Sequence, residues 1–564
     1  MKPNTIKKLI HSLFFTGLLA LVYLLFLPLD TTRGRLINYG VLKIILSSFM
    51  SIGMLFLAVL YIKFQTSDTW GQVISGKQHL YLTGAPSRLI NLRFILLIAF
   101  IILFEAWLLT YFTIPVPARP VILWVATACL IIRITLRRVY REFYDQQPSL
   151  VNRIKSGWRS WSETQRKVFI VLAVLGLIYF AAFIPVNYGG RMHPDEEVIY
   201  PDVVNMLIPG ETFIETLSDS FIISSWWYGY PYFPMSALTL VIPRIIYGND
   251  FASRIELNLL LMRQFISVLP MVVSILLLIY LVNEYKQFWA SIGMFVVLCL
   301  IPGVVHYNTR FWHPDSIIVL LVLLTIWLLK RDRLRFGRDF YLAAFTAGFN
   351  AVIKVWGLFF FLTIGSYLLA GWFTKKLDFK KMIKTGLFFI LVMLGSILIT
   401  SPSITIPWNL KAYISELREY YPVMRQGYNE PDPEGVYRLG LPAWMVFFRM
   451  HFMQDFFFYF SIFALVTGSL LGTEKTLNRL ILAWCSAIGV FLVGWIAVKS
   501  FQYLLPLMIP LYGSVFLFPN IAGADHYPRR LGFLAHPNAK RVLWGIVIVL
   551  TAIQFYYNLK LFPN

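Results

Sequence analysis

Apolar positions in this chain run in long blocks, near 9–28, 38–62, 92–114, 118–137, 167–187, 257–283, 288–306, 316–329, 340–353, 356–372, 384–400, 453–472, 479–498, 502–518 and 541–558. A block of about 20 apolar residues crosses a bilayer as a helix, which satisfies its own backbone hydrogen bonds there. The pattern predicts an all-α polytopic membrane protein of about fifteen transmembrane helices, with 340–372 read as one bent span or two.

Composition sharpens the picture. The chain of 564 residues is 58% hydrophobic, 17% aromatic and only 14% charged, whereas a soluble domain carries roughly 25% charged residues. Disorder, a collagen-like chain, a disulfide-stapled secreted domain and a nucleic-acid module are excluded. The net charge of +22 marks cytoplasmic loops in a membrane protein rather than a nucleic-acid surface. Cys129, Cys299 and Cys485 all fall inside apolar blocks and read as small core residues. The first block follows Lys2, Lys7 and Lys8 without a small-residue cleavage site, so it reads as an uncleaved helix.

Basic loops set the expected orientation. Residues 133–167 hold nine Lys or Arg against three acids, and 330–338 and 375–384 each hold five against one. Arg529, Arg530, Lys540 and Arg541 form another basic cluster. These belong in the cytoplasm, with the N-terminus, so the helix at 167–187 leaves outward. From Met192 to Pro243 there is no Lys or Arg, while seven acids, Asp195, Glu196, Glu197, Asp202, Glu211, Glu215 and Asp219, are a quarter of all those in the chain. This is an acidic extracytoplasmic loop. Parity then requires one of 232–248, 257–283 and 288–306 not to cross. The proline-broken 232–248 is assigned to the outer interface, with Trp226, Trp227, Tyr228, Tyr230 and Tyr232 as aromatic anchors. A second long outer segment, 401–452, is proline-rich and too polar to cross.

His-Pro-Asp occurs twice, in Arg191-Met-His-Pro-Asp-Glu-Glu197 and in Asn308-Thr-Arg-Phe-Trp-His-Pro-Asp315. Both copies sit at an expected outer membrane boundary. The plainer reading is that each opens a helix, since proline suits the first helical position and acids complement the dipole there. Two copies at matching depth favour a shared site, and the readings are compatible.

The arrangement resembles the GT-C superfamily of integral membrane glycosyltransferases, most nearly protein O-mannosyltransferases and lipid A aminoarabinose transferases. In that family an Asp-Glu pair opens the first large outer loop, and another Asp follows in the next. Here these match Asp195-Glu196 and Asp315. Residues 347–357, AGFNAVIKVWG, resemble the family's Gly-rich helix ending in Lys, and 499–511, KSFQYLLPLMIPL, its Lys-x-x-x-Tyr-x-Leu-Pro segment. The likeness covers roughly 165–520.

The resemblance implies inverting, single-displacement transfer of a sugar from a polyprenyl-phosphate donor to a lipid, glycan or protein acceptor on the extracytoplasmic face. A carboxylate must take the acceptor's proton, for which Asp195, with Glu196 beside it, is the candidate. The departing phosphate needs fixed positive charge, for which Arg310, Lys354 and Lys499, with Tyr503, are candidates. Lys354 stands out because an ionisable residue within a span is functional by default, whereas Lys499 could simply reach the interface. Glu196, Asp315 and His313 could hold a Mg²⁺ or Mn²⁺ ion, with His193 nearby. Glu211, Glu215 and Asp219 read as a solvated face.

Three regions are expected: a four-helix module with its basic loop (1–166), a GT-C-like catalytic domain (167–520, with outer loops 188–256, 307–315 and 401–452) and a C-terminal segment with the last span (521–564). A transporter or flippase of lipid-linked sugars, or an O-antigen-type ligase or polymerase, stays open as an alternative. A transporter concentrates charge near the bilayer midplane, whereas this chain gathers carboxylates in one loop.

Overall fold

In lipid the backbone of an isolated segment is satisfied only as a helix, and every regular element among the described residues is helical. The computed structural model describes residues 3–26, 45–55, 57–58, 86–110, 118–139, 156–223, 228–427, 437–522, 529–536 and 538–561. Among the described residues, eight helices are long and apolar enough to cross a membrane, or up to ten if each of two bent pairs is one span. The protein is therefore an all-helical membrane protein. The other apolar blocks are shorter helices such as Ile10–Leu24, Ile45–Leu55 and Ile95–Leu109, carry charged ends, or lie partly outside the described residues.

The chain divides into two compact units, residues 1–160 with 402–410 and residues 161–401 with 411–564. In the first unit, α1 (Pro3–Phe26), α2 (Pro86–Leu109) and α3 (Ala118–Val139) are its longest helices. Trp124 of α3 donates its indole N–H to the Leu13 carbonyl of α1 at 2.9 Å, and Leu13, Met50, Met54 and Trp124 form a small buried cluster.

The second unit starts with α4 (Glu163–Ala182), opened by a capping box between Ser162 and Gln165. That box satisfies two otherwise orphaned backbone N–H groups. Next come α5 (Pro194–Asn205), the short helix Phe213–Phe221 (opened by a Thr212–Glu215 capping box), α6 (Tyr232–Thr239) and α7 (Val241–Tyr247). The long α8 (Ile255–Asn283) contains a π-helical stretch, Arg263–Val268. α9 (Phe288–Cys299) and α10 (Pro302–Arg310) meet at a 59° bend ahead of Pro302. α11 (Asp315–Asp332) packs against α8, against α12 (Arg338–Ile353) and against α18 (Phe501–Leu517). Between α12 and α13 (Phe360–Phe373) the chain breaks at Lys354, whose backbone is extended, so 340–372 is two helices. α14 (Phe379–Thr400), the helix Pro407–Gln426 from residue 411 onward, α15 (Leu441–His451), α16 (Asp455–Leu471), α17 (Lys475–Trp495) and α19 (Ala539–Lys560) follow in the unit, with a 105° bend between α15 and α16. α18 is almost wholly enclosed and carries Pro506 and Pro510, which neighbouring helices make tolerable in a bundle.

The stretch 232–248 is two helices of eight and seven residues. Each is about 12 Å long or less at 1.5 Å per residue, against a hydrocarbon core of about 30 Å. The aromatic residues before them are not lipid-facing anchors. Tyr228, Tyr230 and Tyr232 are buried, 3%, 8% and 0% exposed, because each hydroxyl finds a partner inside: Asp195 for Tyr228, the Ser220 carbonyl for Tyr230 and the Trp312 carbonyl for Tyr232. Trp226 and Trp227 lie outside the described residues. Glu211 and Glu215 are exposed and Asp219 half-buried.

Because neither short helix can span, Asp250 and Tyr188 should face the same aqueous compartment. Single cysteines at the exposed positions Tyr188 and Asp250 should react with an impermeant maleimide from the same side of sealed vesicles. Labelling from opposite sides would require 232–248 to cross.

Candidate functional site

Both His-Pro-Asp strings open helices. His193 caps α5: its ring Nδ1 accepts the Asp195 backbone N–H at 3.3 Å, and the Glu196 side chain returns to the His193 N–H at 2.9 Å. Pro314 and Asp315 begin α11. The tertiary structure then brings the two helix starts together. The His313 ring Nε2 lies 3.7 Å from Asp195 Oδ2, and His193 Nδ1 lies 3.9 Å from the same oxygen.

The clamp that holds them is a buried ion pair. Arg263, in the π-helical stretch of α8, donates from Nη2 to Glu196 Oε2 at 2.6 Å and from Nε to Oε1 at 3.2 Å. The same guanidinium reaches the Arg191 carbonyl at 2.7 Å, and the Trp312 backbone N–H donates to Glu196 Oε1 at 2.6 Å. Glu196 and Arg263 are 0% and 1% exposed. π-Helical turns often occur at functional sites, and here the turn also supplies Ser267, which donates to the Phe311 carbonyl at 2.7 Å. Tyr307 donates to the His313 carbonyl, and Tyr232 to the Trp312 carbonyl at 2.6 Å. Loop 311–314 is thus tied through its backbone from four elements, α5, α6, α8 and α10.

Tyr228 joins the group from a third segment. Its hydroxyl is 3.2 Å from Asp195 Oδ2 and 3.3 Å from the His313 ring. Gly229 makes this possible: its N–H bonds the Ile353 carbonyl at 3.0 Å, and a Cβ there would lie 1.3 Å from the Val352 carbonyl oxygen. Any side chain at 229 would push Tyr228 off the end of α12.

Beside this group stands a second ion pair. Lys354 Nζ is 2.8 Å from Asp315 Oδ1. Its ammonium lies over the rings of Tyr503 and Tyr228, 4.9 and 5.5 Å from their centroids, an attractive placement for a cation. Asp315 Oδ2 is buried and has no hydrogen-bond partner. A buried acceptor left open costs free energy, so this oxygen is available to whatever enters.

Burial, followed by the Lys354 charge, lowers the pKa of His313 well below its usual value, so the ring is neutral at pH 7. Burial, then the Asp195 and Asp315 charges, raises the Tyr228 phenol well above its ordinary range. It remains a donor to Asp195.

The expected site residues therefore separate. Asp195, His193 and His313 come together, with Asp315, Lys354 and Tyr503 alongside. Glu196 sits in the structural clamp, both oxygens committed to Arg263, Trp312 and His193, rather than open to a metal. Lys499 turns to other partners, the carbonyls of Arg438 and Ala497 at 2.7 and 2.6 Å and the face of Trp444. The side chain of Arg310 lies outside the described residues. Among the described residues, the group with metal-ligand spacing is His193, Asp195 and His313, whose ligating atoms lie within 4.8 Å of one another. Of the three ligands read from the sequence, only His313 belongs to it.

Tyr228 and Arg263 are site residues that lie outside both His-Pro-Asp strings. Arg263 carried a usable signal, a lone charge inside the apolar block 257–283. Tyr228 carried none that separates it from the neighbouring aromatics.

Comparison of the chain with protein-family models, with curated proteins and with solved structures gave no match.

Removing one partner of a buried pair leaves the other charge stranded, which costs about 3–5 kcal/mol. Glu196→Gln and Arg263→Met should each lower the melting temperature in detergent strongly. The double variant Glu196→Gln/Arg263→Met should lose clearly less than the two single losses combined, as expected for coupled residues. Additive losses would remove the clamp from the account.

Proposed function

We propose that this protein is a GT-C-like membrane glycosyltransferase. It moves a sugar from a polyprenyl-phosphate donor to an acceptor hydroxyl on the extracytoplasmic face, by inverting single displacement. The observation that carries the reading is the meeting of the two helix starts: Asp195 lies against neutral His313, with a lysine–aspartate pair and two tyrosine faces beside them. A carboxylate to take the proton and a fixed cation for the leaving phosphate are the two things the reaction needs. Basic loops at 330–338 and 375–384 support a cytoplasmic N-terminus with the site on the opposite face.

In the reaction the acceptor oxygen attacks C1 of the sugar and gives its proton to the Asp195 carboxylate. The C1–O bond to phosphate breaks, and the electron pair leaves with the polyprenyl phosphate. Lys354 stabilises the charge growing on that phosphate, released for the purpose from Asp315. Tyr228 holds the Asp195 carboxylate in place. Glu196 acts only through the loops it clamps.

His193, Asp195 and His313 fit a divalent cation: two imidazoles and a carboxylate, one ring kept neutral by burial. Imidazole donors suit Mn²⁺ or Zn²⁺ better than Mg²⁺, which takes oxygen ligands. A bound ion would supply further positive charge for the leaving phosphate.

Three outcomes test the reading. Asp195→Asn, assayed in liposomes with a polyprenyl-phosphate sugar, should lose transfer while keeping its melting temperature and donor binding; full activity would move the base elsewhere. A flippase would instead move the intact donor across the bilayer without cleaving it, and Asp195→Asn would leave cleavage at zero in both proteins.

Lys354→Met paired with Asp315→Asn, which removes both charges of the pair together, should slow transfer about 10²–10³-fold without a matching loss of folded protein. Activity that simply tracks the folded fraction would make the pair structural. Dialysis against a chelator followed by Mn²⁺ or Zn²⁺ should change the melting temperature of the wild-type protein and leave that of His313→Ala unchanged. Equal responses would place any ion outside this group.

A further inference from the structure

A row of ring side chains leads away from Asp195, and beyond His193 nothing in the proposed chemistry uses it. His193 lies against Phe311 with ring centroids 4.7 Å apart. Phe311 meets Phe501 at 5.3 Å, Phe501 meets His451 at 5.4 Å, and His451 meets Phe447 at 4.6 Å. His306 joins from the side, 5.7 Å from Phe501 and 6.0 Å from His451. The rings come from α5, the loop before α11, α18, α15 and α10, so their alignment is a product of the fold. Gly303 allows the closest approach: a Cβ there would sit 2.7 Å from the Phe452 ring and 3.0 Å from the His451 carbonyl oxygen. That contact seats α10 against the end of α15 and brings His306 to His451.

Three features give the row its chemistry. None of the four successive contacts is a face-to-face stack. Every member except Phe311 is half-buried. Phenyl rings and imidazoles share the row, so apolar faces stand beside nitrogen atoms that donate or accept hydrogen bonds. Binding sites are typically mostly apolar with a few placed polar groups. A hydrocarbon chain makes no use of imidazole nitrogens. A sugar chain uses both, laying C–H faces on the rings and offering hydroxyls to the nitrogens.

We propose that Phe447, His451, Phe501, His306, Phe311 and His193 form the binding track for a carbohydrate acceptor, which delivers its terminal hydroxyl to Asp195. This rests on the reading of Asp195 as the base of a sugar transfer and adds the acceptor class to it. The track holds several sugar units, so affinity rises with chain length. Its outer end, Phe447 and His451, binds sugar without touching the reacting atoms.

The test is saturation-transfer NMR on the full-length protein in lipid nanodiscs, with no donor present. Maltotetraose, cellotetraose and mannotetraose serve as probes beside their monosaccharides, and farnesyl phosphate serves as an isoprenoid probe. At least one tetrasaccharide should bind, and more tightly than its monosaccharide. Phe447→Ala and His451→Ala should weaken that binding about ten-fold, the loss of one aromatic contact. Phe447→Leu and His451→Gln keep bulk and polarity and serve as folding-safe variants, expected to weaken it less. Asp195→Asn should bind the tetrasaccharide as the wild type does even though it transfers no sugar, so failure of the track and failure of the base are read separately. No tetrasaccharide binding, binding indifferent to Phe447 and His451, or farnesyl phosphate as the one probe that depends on them would each overturn the proposal.

Discussion

The buried pair of Glu196 and Arg263 is the constraint from which the rest of the site follows. Charges removed from water are costly unless they are paired and hydrogen-bonded. Here the guanidinium spends its donors on one carboxylate and one backbone carbonyl, and the carboxylate spends its lone pairs on the guanidinium and two backbone N–H groups. Two of those backbone groups belong to different His-Pro-Asp strings. Satisfying the pair therefore fixes the distance between loop 191–197 and loop 311–314. Asp195 and His313 meet because their neighbours cannot be satisfied any other way.

The second pair is built differently, and the difference has a chemical meaning. Asp315 gives Lys354 one oxygen and keeps the other buried without a partner. Lys354 is 12% exposed and rests on two tyrosine faces. A pair with every bond made is a strut; one with an open acceptor and a reachable ammonium can exchange its contacts for those of an anion. The helix break at Lys354 serves the same end, since it ends α12 where the ammonium must reach Asp315.

The two His-Pro-Asp strings show that a capping role and a chemical role can share residues. Capping orders His193 and Asp195 through bonds within three residues. Placed on that fixed helix start, the carboxylate is preorganised. Gly229 plays the corresponding part for Tyr228, by giving up its side chain where the backbone of Val352 passes.

Local physics made much of this legible in the sequence. Apolar blocks of the right length determined the helical membrane class, and proline spacing within 232–248 determined that this stretch is broken into short helices. The duplicated motif pointed at Asp195, His193, His313 and Asp315, and the lysine inside the apolar stretch 340–372 pointed at Lys354. Partnership was beyond reach. That Glu196 would be consumed by Arg263, that Asp315 would pair with Lys354, and that Tyr228 would turn inward to Asp195 depend on which helices pack together. The partners stand 67, 39 and 33 residues apart in the chain. Hydropathy and capping act over a few residues, so the sequence by itself determined the elements and several chemical groups. Which carboxylate is a strut and which is open was decided only when burial forced every charged group to find its partner in three dimensions.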